Sequence, residues 1–81
     1  MSIETMSNTF CKNIKYLREK NALTIDVMAA MLGISVRNLR KIEEGTIPPS
    51  VNIYILWHSY TGFGVTIHDL LYTDMEATDS L

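Results

Sequence analysis

Arg37, Arg40 and Lys41 are strong hydrogen-bond donors, and their spacing places them together on one side of a helix. Leu39 and Ile42, three apart, mark the opposite apolar side, while Val36 and Glu44 fall with the donors. A guanidinium grips a planar acceptor through two parallel bonds, and an ammonium grips an anion as a point charge. Such a face suits recognition of an anionic, acceptor-rich surface. It does not suit bond making. His58 and His68 have no further ligand at a useful spacing and no partner nucleophile, so both read as packing or surface residues. Cys11 follows the apolar Phe10 and reads as a small core or boundary residue. Gly62-Phe-Gly64 lacks the third glycine and the preceding strand of a phosphate loop, and reads as a helix terminator. The five methionines read as core filler. No enzyme, cofactor, metal site or small-molecule substrate is indicated.

The donor helix needs a partner to hold it, and the stretch Ile25 to Glu44 supplies one. Thr24 suits an N-cap, with Asp26 in the positive first turn of a helix that Gly33 ends. Ala29 is small where two helices approach, Ile34 plugs the turn, and Ser35 caps the donor helix, which stops at Gly45. Upstream, Phe10, Ile14 and Leu17 predict an amphipathic helix over 7–20, with Lys12, Lys15 and Lys20 outward and Asn21 at its end. Downstream, Pro48 and Pro49 force an extended connection before a fourth helix over 51–61, capped by Ser50 and broken by Gly62 and Gly64. Thr66 and Asp69 resemble a capping box that opens a fifth helix through Leu70 and Leu71. The predicted architecture is an all-α five-helix domain over 1–72, with the helix pair at about 24–44. Residues 73–81, acidic and small, are expected to form a disordered tail.

A chain of 81 residues forms one domain and buries only ~60% of its unfolded surface. The single cysteine excludes an internal disulfide and fits a reducing cytoplasm. The first ten residues lack the pattern of a secretory signal, and the longest apolar run, Ile53 to Trp57, is too short to cross a bilayer. Net charge is −2, yet all seven Lys and Arg residues lie between positions 12 and 41. That window holds only Glu19 and Asp26 as acids, a net of +5, and six acids follow Lys41 without one Lys or Arg. One half is basic and the other acidic, which separates a phosphate-attracting region from a repelling one.

In order along the chain, Ile14 to Glu19, Met28-Ala29, Leu32 to Ser35, Leu39, Ile42 to Gly45, Pro49-Ser50, Val65 to Ile67 and Leu70-Leu71 resemble the phage-repressor and Cro-like helix-turn-helix domains, the XRE family. The resemblance implies a lambda-repressor-like fold whose third helix enters the major groove of double-stranded DNA. It casts Val36, Arg37, Asn38 and Arg40 as readers of base edges: Arg pairs with guanine O6 and N7, Asn with adenine, Val with a thymine methyl. Lys12, Lys15 and Lys41, with the helix N-termini at Thr24 and Ser50, become phosphate contacts. Arg18 and Glu43 are cast as an internal ion pair.

The resemblance also suggests a homodimer through the stripe Ile53, Leu56, Trp57 and Tyr60, against the alternative that this stripe packs under the fifth helix and the tail. Two recognition helices ~34 Å apart would favour an inverted-repeat operator, and a repressor is the implied role. The sequence departs from the family at Ile25, where many members carry glutamine, at Glu44, which repels phosphate, and at the nonstandard turn around 62–64. Val27, Ala30 and Met31 form a second apolar stripe on the outer side of the second helix. That stripe supports a second expectation: a protein-interaction module, such as an antitoxin or a regulator of another repressor, with weak or no DNA binding.

Overall fold

Phe10, Cys11, Ile14 and Leu17 line one side of a helix, and burying them sets the first element. In a computed structural model, which describes residues 3–53 and 64–80 and side chains from Met6 on, α1 runs Ile3–Lys20. It starts before the expected Ser7, because Ile3 and Met6 precede Phe10 at helical spacing. Its end is closed by Ala22 N–H to the Glu19 carbonyl (3.0 Å) and Leu23 N–H to the Arg18 carbonyl (3.0 Å). This six-to-one closure requires a left-handed residue, and Ala22 fills the position at φ 54°.

The helix pair follows. α2 spans Ile25–Leu32 and α3 spans Val36–Glu43. Thr24 Oγ1 accepts from Val27 N–H (3.2 Å) and Ser35 Oγ from Asn38 N–H (3.0 Å), so both expected N-caps are formed. Between the helices, Gly33 sits at φ 71°, with its N–H on the Ala30 carbonyl (3.2 Å) and Ile34 N–H on the Ala29 carbonyl (3.1 Å). Any side chain there would be strained, which is why the turn takes glycine. Ile34, half-buried, then folds back onto the core.

α1 packs on α3, and α2 packs on α3, around Met28, Ala29, Leu32, Leu39 and Ile42. Pro48 is buried, and Val51 N–H donates to its carbonyl (3.0 Å), so the chain is still turning at Ser50. Helical structure begins at Ile53 rather than Val51. The rest of the expected fourth helix, with Leu56, Trp57, His58, Tyr60 and the Gly62 break, lies outside the described residues. Of the expected dimer stripe, Ile53 alone is described, half-buried against the core.

Thr66 and Asp69 form the reciprocal capping box that opens α4, Ile67–Tyr72. The expected tail does not extend loosely from it. α5, Met75–Asp79, is N-capped by Asp74 and rests on α1, with Met75 8% exposed. Composition marked this stretch as unable to fold alone, and what orders it is contact with distant residues. Asn13, fully buried, donates from Nδ2 to the carbonyls of Leu70 (2.9 Å) and Thr73 (2.7 Å), with Asp69 at 3.3 Å. Its Oδ1 accepts Met75 N–H (3.2 Å). One amide thus satisfies the carbonyl end of α4 and the amide end of α5. Among the described residues there is no strand, and no helix is long and apolar enough to cross a membrane.

Candidate nucleic-acid interface

Leu39 and Ile42 are fully buried, which fixes the rotation of α3 and turns Arg37, Arg40 and Lys41 outward. All three are exposed, and among the described residues no ion pair neutralises them. Glu44, also exposed, closes the helix at the far end of the same face. Val36 differs from the sequence reading: it is half-buried and packed against the core, at the edge of the donor face rather than within it. Asn38, half-buried, lies at the other edge.

The far end of α3 is anchored to α1 by a two-pronged ion pair. Arg18 Nε donates to Glu43 Oε2 (2.7 Å) and Nη2 to Oε1 (2.9 Å). Nη1 also reaches the Leu23 carbonyl (3.0 Å), just before α2. The side chains are 20% and 8% exposed, so the pair is shielded from solvent, and it joins α1, α3 and the start of α2.

The α1 lysines do not act together. Lys12 pairs with Asp74 (2.8 Å) and Lys20 with Asp79 (2.8 Å), while Tyr16 donates its hydroxyl to Asp79. The hydrogen bond from Lys12 holds the Asp74 carboxyl below the ordinary carboxylate range, and that from Lys20 does the same for Asp79. Lys12, expected at phosphate, therefore faces the chain's own acidic helix: sequence position had put it in the basic half, whereas space puts it beside an acid. Lys15 is exposed and has no such partner among the described residues. Thr24 and Ser50 are both exposed, Thr24 at the start of α2 and Ser50 in the turn ahead of Ile53.

Other candidate chemistry is absent among the described residues. Burial raises the Cys11 thiol to about 11, so it stays protonated at neutral pH. No group of three potential metal ligands forms. The residue that sequence reading passed over is Asn13, whose signal was a polar amide on the apolar side of α1, three after Phe10. On α2, Val27 and Met31 are 46% and 47% exposed, and Ala30 is exposed with them.

Against known proteins, the family model described as helix-turn-helix matches residues 14–67, more than half of the chain. No curated protein and no solved structure matches it. The matched span covers the capped helix pair, the ion pair beneath it and the start of α4. The chain belongs to the helix-turn-helix family of the Cro and phage-repressor (XRE) type, a family of DNA-binding transcription regulators.

Proposed function

We propose that the chain is a sequence-specific DNA-binding transcriptional regulator, a repressor that acts as a homodimer on an inverted-repeat operator. The carrying observation is the exposed row Arg37, Arg40 and Lys41, unneutralised among the described residues, on a helix whose back is fixed by Leu39, Ile42 and the Arg18–Glu43 pair. In this reading α3 lies in the major groove, with Arg37 and Arg40 on base edges and Val36 and Asn38 at the margins. Lys15, Lys41 and the segments opening at Thr24 and Ser50 take phosphates, and Lys12 joins them only on leaving its exposed pair with Asp74. The dimer forms through Ile53, Leu56, Trp57 and Tyr60, and the protein works in a reducing cytoplasm. Repression follows from occupying promoter DNA.

The test compares binding to a duplex selected from a random pool with binding to random duplex. Arg37→Ala is expected to cost ~1–3 kcal/mol at one base pair of the selected site, whereas Lys15→Ala weakens both duplexes alike and lowers the log–log salt slope by ~0.9. Equal losses on both duplexes from Arg37→Ala refute the base-reading role. A second reading rests on Val27 and Met31, whose exposure suits a protein neighbour on α2. It makes the chain a protein-interaction module, an antitoxin or a regulator of another repressor. Absence of DNA binding at low salt, with stable capture of a protein partner that Val27→Ser releases, supports it.

A further inference from the structure

α5 lies on α1 unevenly. Its ends are tied by charge, Asp74 to Lys12 and Asp79 to Lys20 and Tyr16, and all of these contacts are exposed. Its one buried side chain is Met75, whose N–H meets Asn13. Beside Met75 a cleft of about 440 Å³ stays open between α1 and α5, with Leu17, Val65 and Met75 as its apolar walls and Tyr16, Lys20 and Thr73 among its polar ones. A helix of five residues does not persist alone, and exposed ion pairs are screened by salt. The segment can therefore lift while α1, α2 and α3 keep their shared core.

We propose that this groove on α1 is a docking surface for an acidic helical segment of a partner protein, and that α5 is the exchangeable occupant in the free chain. The chemistry of the partner is read from the occupant. An acid falls beside Lys12, an apolar anchor follows it, and a second acid lies beside Lys20 and Tyr16. The open cleft beside Met75 gives a bulkier anchor somewhere to go, and that extra apolar burial is what a free segment needs to offset the effective concentration of the tethered one.

The first arm of the test uses the wild-type chain with ¹³C-labelled methionine methyls. Raising NaCl from 0.05 to 1 M is expected to increase the population with an exposed Met75 methyl about three- to tenfold, while the Met28 methyl, fully buried, stays in place. A Met75 signal that moves only when Met28 moves overturns the exchange. The second arm titrates a synthetic peptide of residues 73–80 carrying Met75→Phe into the full chain carrying Asp74→Asn and Asp79→Asn. Expected are saturable shifts at Tyr16 and Leu17, release of the Met75 methyl, binding at least tenfold weaker once Lys12→Gln and Lys20→Gln are added, and no change at Arg37 or Arg40. No saturable shift at millimolar peptide, or equal binding of a peptide with both aspartates replaced by asparagine, overturns the docking surface. So do shifts produced by duplex DNA and not by peptide. If the variant chain loses the Met28 signal of the folded core, the same titration on the wild-type chain, read at Met75, decides the matter.

Discussion

Asn13→Leu keeps the number of side-chain heavy atoms at a buried position, though with bulkier methyls, while removing every hydrogen bond that joins α1 to the C-terminal helices through it. Three groups lose their partner: the Leu70 and Thr73 carbonyls and the Met75 N–H. The Asp69 carbonyl is spared, since Thr73 N–H also donates to it (3.1 Å). A stranded buried polar group costs ~1–3 kcal/mol, and α5 can peel away to let two of the three reach water, so the expected loss is about 2–3 kcal/mol. Stability of an 81-residue domain is about 4–12 kcal/mol, so the substitution removes about a sixth of it or more. Urea unfolding followed by far-ultraviolet circular dichroism reads the loss, and heating should show a transition lower by roughly 8–24 °C. Asn13→Asp separates the roles of the two amide atoms: it keeps an acceptor for Met75 N–H but sets a carboxylate against two carbonyls, and should cost at least as much. A loss below about 0.5 kcal/mol for Asn13→Leu would mean that water already serves these groups, and the clamp would be refuted.

Glu43→Gln removes the carboxylate charge that the Arg18 guanidinium grips in a shielded site and should cost about 2–4 kcal/mol in urea; a loss under ~0.5 kcal/mol would mark the pair as solvent-screened. Ala22→Gly relieves a left-handed alanine worth ~1–2 kcal/mol of strain but adds unfolded-chain freedom worth ~0.5–1 kcal/mol, so a net gain of about 0.5 kcal/mol is expected by the same assay. The Tyr16 phenol is raised above its ordinary range, chiefly by its hydrogen bond to Asp79, and absorbance titration should show its midpoint return toward the ordinary value in Asp79→Asn. Asp74 and Asp79 titrate below their ordinary range, so their share of α5 docking is complete above the unfolded carboxylate range and lost as pH falls through the lowered folded values. The Met75 methyl should therefore become exposed in acid before the Met28 methyl does.

The helix pair was legible because its determinants are local. Thr24, Gly33, Ser35 and the Thr66–Asp69 box each act within a few residues, and Leu39 with Ile42 declares the rotation of α3 directly. The start of α1 was legible too, at Ile3 and Met6, but was set too late by reading from Phe10. Residues 73–80 were not legible: five helical residues with one large apolar side chain carry no periodicity, and their order comes from Asn13, Lys12 and Lys20, some 60 positions away. The same distance effect split the basic half. Counting charges by position grouped Lys12 and Lys20 with Arg37 and Arg40, whereas folding set the first two beside aspartates and left the others in solvent.

The guanidinium of Arg18 is a hinge pin where three helices meet, at the end of α3 opposite the cap at Ser35. Eight residues make a rod of roughly 12 Å, so a tilt of roughly 5° about that pin swings the other tip by about 1 Å. A shift of that size is enough to spoil a two-pronged grip on a base. Substitutions at Arg18 or Glu43, on the packed side of α3 and outside the exposed Arg37, Arg40 and Lys41 row, should therefore blur which sequences are preferred while leaving general attraction to polyanions intact.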